Sequence, residues 1–287
     1  VQGVRMTECG LTELASCIPQ KIYDFFINLL NSPLQPLLDQ IKNLLSEPIN
    51  IEIFSSLWAL IVYIISIFYG LLFLYSGFQF IISGHDVYRR EKAKSWMKNT
   101  ILIIFFVQGS YFFYSLLLEV SSLLNTGALS LINQNFFLIT VDNFSNIGLE
   151  FIFTLFYVII LFLTIIFLVL RYILVSVGII FFPLGLFFYF IPFLENYGKL
   201  ILNGLLILIF ITFPQVLILL AGSKLIEIPI FQNYKILIMI ASFSLVNLVM
   251  ILLVIFAIIK AATSILYSDA GRLATTVYHP SRLLRRN

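Results

Sequence analysis

Five basic residues fall within ten positions: Arg89, Arg90, Lys92, Lys94 and Lys98. Guanidinium and ammonium groups bind carboxylates and phosphate oxygens. The chemistry open to this stretch is therefore docking, to an acidic protein surface or to nucleic-acid phosphates. On a helix, Arg90, Lys94 and Lys98 share one face at spacings of four, with Arg89 and Lys92 beside it. Asp86 and Glu91 neutralise part of the cluster and leave an excess of three positive charges. The plainer alternative is a turn whose basic residues only set membrane topology, and both readings stay open.

Arg171 is the second candidate. It stands in an apolar block, residues 149–194, whose only other charge is Glu150. A cation so placed either faces a partner or water, or lies near a helix end and snorkels to the headgroups. The spacing favours snorkelling from the inner part of a long helix. Glu119 and Glu150 read as boundary carboxylates rather than a proton relay. Cys9 and Cys17 would stand about 12 Å apart on a straight helix, so a disulfide between them needs a bend at Gly10 or later. His85 and His279 are far apart in sequence. The chain has no phosphate-binding loop, no H-E-x-x-H and no G-x-S-x-G. No catalytic, metal-binding or cofactor-binding residue emerges, so the expectation is a protein that is not an enzyme and carries no cofactor.

The elements that must position these residues follow from composition. Of 287 residues, 61% are apolar and 11% charged, against about 25% charged in an ordinary soluble domain. Mean hydropathy is +1.04. These values exclude a soluble globular enzyme, a disordered chain and an ordinary basic nucleic-acid-binding domain. An all-α integral membrane protein remains, since a hydrocarbon core of ~30 Å needs ~20 apolar residues per helix.

Residues 1–56 differ from the rest. Leu14, Ile18, Ile22, Phe25, Phe26 and Leu29 recur at spacings of three and four, and so do Leu34, Leu37, Leu38, Ile41, Leu44 and Leu45. They predict two amphipathic helices separated by Pro33 and Pro36, at the interface or packed on the bundle. A two-span hairpin follows over 57–118, with spans at Leu57–Ser83 and Thr100–Leu118. Its basic loop covers 84–98, and Asp86 is the N-cap of a short helix. Residues 119–148 read as an Asn-rich outer loop. The bundle 149–260 holds one or two spans in the 149–194 block, then spans at Leu200–Leu220 and Ile236–Ile259. Pro183, Gly185 and Pro192 lie within ten residues and predict a helix break. Residues 261–287 form a basic tail. Positive-inside counting puts the 84–98 loop inside and the N-terminus and residues 119–148 outside. Five spans then place Arg272, Arg282, Arg285 and Arg286 inside; six spans, the alternative, place them outside.

Several segments carry a resemblance. They are CGLTELASCIPQ and PLQPLLDQIKNLL, then YGLLFLYSGFQFIISG, RREKAKSWMKN and FFVQGSYFFYSLLLEVSSLL, and further on LRYILVSVGIIFFPLGLFFYFIPFLENYGK. In this order they resemble the polytopic inner-membrane channel subunit of type IV secretion and conjugation machines, the TrbL/VirB-type family. The likeness is nearest to archaeal versions, including relatives in archaeal DNA-import (Ced) systems, and runs from about Cys9 to Lys260. It implies an outside N-terminus, an inside C-terminus and about five core spans in the cytoplasmic membrane. It also implies a homo-oligomer, a pentamer, beside cytoplasmic ATPases and pilin subunits, with DNA or a DNA–protein complex as substrate. Two rivals remain: a secondary transporter or small-solute permease, and a non-conducting scaffold for a pilus. The absence of a sequence repeat weighs against the permease.

Overall fold

The computed structural model describes residue 32 and residues 34–84, 86–137, 147–192, 194–232 and 234–278. Among these residues every regular element is helical. Helix α1 covers 34–46. A 3-10 turn (Glu52–Phe54) leads into α2 (Ser55–Ile82), followed by α3 (Val87–Gln108) and α4 (Ser110–Leu129). A second 3-10 turn (Gln134–Phe137) precedes α5 (Ile147–Phe190). Then come α6 (Glu195–Phe210), α7 (Thr212–Ile226), the short α8 (Pro229–Gln232) and α9 (Lys235–Tyr278).

Five helical segments are long and apolar enough to cross a bilayer: Glu52–Ile82, Ser110–Leu129, Ile152–Phe190, Glu195–Ile226 and Lys235–Lys260. The chain is an all-α, multi-pass membrane protein. Its spans leave large apolar side chains uncovered, as lipid-facing helices do; Leu74 is 70% exposed and Ile81 78%.

The block 149–194 resolves into one span, because α5 continues through Pro183 and Gly185 as far as Phe190. The expected break at those two residues is therefore corrected. Proline removes one backbone hydrogen bond, and a membrane helix tolerates that when neighbours support it. Here α6 lies along this part of α5. A side chain at Gly198 would place its Cβ against the backbone nitrogen of Tyr189, 2.6 Å from the Tyr189 Cα and 2.8 Å from the Gly185 carbonyl. The glycines serve the close crossing of α5 and α6 rather than a break. Pro192 does lie beyond the helix, exposed in the turn before α6.

The second span is also displaced. Helices α3 and α4 form nearly one rod, with backbone bonds from Gly109 N to Phe105 O and from Phe113 N to Gly109 O, each 3.0 Å. The segment of this rod that qualifies as a span is Ser110–Leu129, not Thr100–Leu118. Glu119 lies within it instead of ending it, so the connection to α5 begins after Leu129 and not at 119. At the other end of the chain, helix continues past Lys260 to Tyr278, where a basic tail was expected from 261.

The core is continuous along α5. At one end, Leu34, Leu38, Ile41 and Leu45 of α1 pack with Tyr157 and Leu161 of α5, Val216 of α7 and Phe243 of α9. The predicted apolar face of α1 is thus the face that docks on the bundle. In the middle, Tyr114 and Leu118 meet Val175, Ile179 and Ile209. At the far end, Val62 and Ile65 of α2 meet Ile103 and Val107 of α3 and Phe187 of α5. Helices α2 and α3 run antiparallel. The Trp58 indole donates to the Ser110 hydroxyl at 2.8 Å, Tyr75 and Trp96 meet edge-on at 5.2 Å, and Arg90 lies over the Phe80 ring at 5.5 Å.

A buried arginine on helix carbonyls as the candidate functional site

The fourth span, Glu195–Ile226, is α6 and α7 joined at Ile211, whose backbone stays helical, with bonds from Ile211 N to Ile207 O at 3.0 Å and from Gln215 N to Ile211 O at 3.4 Å. Pro214 explains the position. It has no N–H, so in a straight helix the Phe210 carbonyl would have no donor. With helix restarting at Thr212, Pro214 falls in the first turn, where proline is tolerated. The carbonyl that loses its backbone donor is that of Phe210.

Arg171 binds the two carbonyls that precede that of Phe210. Its Nε donates to the Leu208 carbonyl and its Nη2 to the Ile209 carbonyl, each at 2.9 Å. Ser121 Oγ of α4 donates to the same Ile209 carbonyl at 2.9 Å. The guanidinium is only 4% exposed. Snorkelling is therefore corrected: Arg171 lies midway along its span, too far from either end, and turns into the bundle. A cation at a helix C-terminus meets the negative end of the helix dipole, which offsets part of its desolvation. Among the described residues, no carboxylate comes within ion-pair distance of it; the ion pairs there join Arg89 to Asp86, Lys199 to Glu195 and Lys224 to Glu227.

The polar shell extends to α1 and the segment after it. Asn125 Nδ2 donates to the Thr212 hydroxyl at 2.7 Å and to the Leu45 carbonyl at 2.9 Å. Ser122 Oγ donates to the Ser46 carbonyl, and the Asn50 N–H donates to the Tyr172 hydroxyl at 3.2 Å. Tyr114 OH donates to the Val175 carbonyl at 2.6 Å. Gly178 makes room for that bond, since a Cβ there would collide with the Tyr114 hydroxyl and stand 2.7 Å from Leu205. Among the described residues, three buried amides have unpartnered atoms, two of them here: Asn125 at Oδ1 and Gln215, one turn from Thr212, at both ends; the third is Asn247 at Oδ1. A small cavity lies here, lined among others by Glu47, Ser121, Ser122, Asn125 and Arg171. A more open groove adjoins it across Pro48, Ile49 and Leu118, with Glu52 and Glu119 on its walls.

No family matches this chain. Neither a family model, nor a curated protein, nor a solved structure is similar to it. The remaining functional candidates are placed by geometry alone. Arg89, Arg90, Lys92, Lys94 and Lys98 are all exposed on the first three turns of α3, while Ala93 faces α2. Asp86 caps this helix as expected, accepting from the N–H groups of Tyr88 and Arg89 at 3.0 and 3.4 Å. The basic face and Arg171 belong to separate regions: the first pairs with the end of α2, the second with α4 and α6. Cys9, Cys17, His85, His279 and the tail arginines Arg282, Arg285 and Arg286 lie outside the described residues, as does the amphipathic stretch 11–30. Ser121 and Asn125, read from the sequence as part of the outer loop 119–148, lie inside α4, and sequence reasoning passed over Thr212 and Gln215. Their one signal is spacing, since Ser121 and Asn125 are four apart, and Thr212 and Gln215 three apart, inside apolar spans.

Proposed function

We propose that this protein is a membrane channel or platform subunit of a type IV secretion-like, conjugation-type DNA-translocation apparatus, without catalysis of its own. The observation that carries the reading is the α2–α3 hairpin. It holds five exposed basic side chains on a capped helix, braced by the Tyr75–Trp96 contact against an apolar span. Such a face suits an acidic cytoplasmic ATPase or the phosphates of the DNA that it delivers. In this reading the hairpin and the C-terminus lie in the cytoplasm, the N-terminus lies outside the cytoplasmic membrane, and the chain works as a homo-oligomer, a pentamer, beside pilin subunits. The segment resemblance to archaeal members of that family supports it.

The test is a charge-neutral variant, Arg90→Gln with Lys94→Gln and Lys98→Gln, which keeps Arg89 and Lys92 to hold orientation. Normal insertion with loss of DNA transfer supports docking. Transfer at the unmodified rate reduces the loop to a topology anchor.

One observation favours a second reading, a solute transporter. Buried charges inside a membrane bundle mark substrate and ion pathways in many transporters, and Arg171, buried midway along its span, has that placement. Uptake of a small solute into vesicles holding this protein alone would favour it.

A further inference from the structure

Glu52, Glu119 and Lys260 stand at one height on the bundle, although they are far apart in the chain. Ser121 of α4 and Arg171 of α5 meet on the Ile209 carbonyl, and Glu119 is two residues before Ser121. The Asn50 N–H reaches the Tyr172 hydroxyl, and the Glu52 N–H donates to Asn50 Oδ1 at 2.9 Å. Helix α9 lies beside α5 and runs in the same direction, since Phe243 meets Tyr157 and Asn247 Nδ2 donates to the Ile160 carbonyl. Counting on from Asn247 and Ile160 by equal steps brings Lys260 level with Ile173.

The acids and the lysine face different ways. Glu52 and Glu119 wall the groove of about 360 Å³ that also takes in Asn50, Tyr111 and Ser115. Helix α9 packs on α5, α6 and α7, and among the described residues it does not run along α2 or α4. All three charged side chains are exposed, and none of them is in an ion pair with a described residue. Their surroundings are apolar. Ile53 is exposed beside Glu52, Leu123 a turn beyond Glu119, and Ile259 beside Lys260, whose ammonium lies 6.0 Å from the centre of the Phe256 ring. Charges on membrane-spanning segments ordinarily pair with one another or face water.

We propose that Lys260 of one copy enters the Glu52–Glu119 groove of the next, and that this contact repeats around a ring. The contact rests on the homo-oligomer proposed above and gives it an interface. A bilayer holds every copy in one orientation and at one depth, so charges on two copies can meet only when they stand at one height, as these do. Groove and lysine are different surfaces, which makes the contact heterologous. Copies of one orientation in a plane are related by rotation about the membrane normal, and such contacts close into a ring. The exposed apolar side chains around both partners then pack and exclude water, and the lower dielectric strengthens the attraction.

The experiment uses the full chain in its membrane, with Cys9→Ser and Cys17→Ser. A cysteine is added at an exposed position next to the charges, Ile53→Cys or Ile259→Cys. A membrane-permeant bismaleimide should give dimers when the two single-cysteine chains are co-expressed, and none when either is alone. A chain with both cysteines should give a ladder of oligomers. Lys260→Glu should cut the joined fraction severalfold, and adding Glu52→Lys with Glu119→Lys to that chain should restore it. Dimers from either single-cysteine chain alone would overturn the proposal by making the contact symmetric. An unjoined mixture would overturn it too, and leave the groove to lipid or to another protein. Joining that ignores Lys260→Glu would overturn it by reducing the contact to apolar packing. DNA transfer is read separately. A charge-dependent ladder without transfer supports the contact and counts against the translocation reading, whereas transfer without a ladder overturns the contact alone.

Discussion

The guanidinium of Arg171 and the carbonyl of Ile209 meet at 2.9 Å just before the joint of α6 and α7. The same carbonyl takes the Ser121 hydroxyl, so its two lone pairs are used by two different helices. One acceptor atom of α6 thereby ties α4 to α5. Arg171→Met should lower stability by about 3 kcal/mol, since it leaves buried helix-end carbonyls without their charged donor. Ser121→Ala should lower it by about 1 kcal/mol. Because both act on one oxygen, the double variant should depart from additivity by more than about 0.5 kcal/mol. Unfolding in mixed micelles measures all three.

Gly198 should tolerate no side chain. Its Cβ would meet the backbone of α5 at Tyr189 and Gly185, which cannot swing aside as a side chain can. Gly198→Ala is expected to destabilise by about 3 kcal/mol, the upper part of the overpacking range. Gly204→Ala is the control, with nothing within 4 Å of the added methyl. It should be neutral or slightly stabilising, because alanine is the better helix former.

Gln215 is fully buried, and neither end of its amide has a partner. Removing a buried polar group with unmet bonds relieves a penalty of about 1–3 kcal/mol. Gln215→Leu should therefore raise the unfolding midpoint. A gain in stability accompanied by loss of transport or transfer would mark the amide as retained for function.

The α3–α4 rod gives a direct topology test. Tyr88 is 76% exposed at its start and Leu131 is 62% exposed just past its end. Single cysteines at these positions should react with a membrane-impermeant maleimide from opposite sides, Tyr88→Cys from the cytoplasm. Labelling of both from one side would contradict a crossing by α4.

Much of this architecture is legible in the residues. The three-and-four spacing of Leu34, Leu38, Ile41 and Leu45 marks the face of α1 that is buried, and Asp86 marks the start of α3. Window hydropathy finds the spans because lipid acts on composition alone. What it does not find is how helices answer their prolines. Pro183 and Pro214 both lie in apolar stretches; α5 runs through the first, and the fourth span pauses for one residue, Ile211, before the second. Near Pro214, Arg171 and Ser121, both distant in the chain, donate to the Leu208 and Ile209 carbonyls, whereas Pro183 lies near Gly185, against which α6 packs. For the same reason Arg171 reads as a snorkelling cation until α6 is beside it. The polar shell of Asn125 and Thr212 is faint in sequence, because the polar residues of each span are few and meet only across helices.

The docking of α1 has a consequence for how the protein is made. Leu34, Leu38, Ile41 and Leu45 pack against Val216 and Ile236 as well as against α5. Synthesis proceeds from the N-terminus, so this helix emerges roughly two hundred residues before the surface it covers is finished. It cannot take its place until α7 and the start of α9 have entered the bilayer. Until then its apolar face must wait, on lipid or on an insertion factor. The earliest of the described helices to be made is therefore among the last to be seated, and its seating is the step that reports a completed bundle.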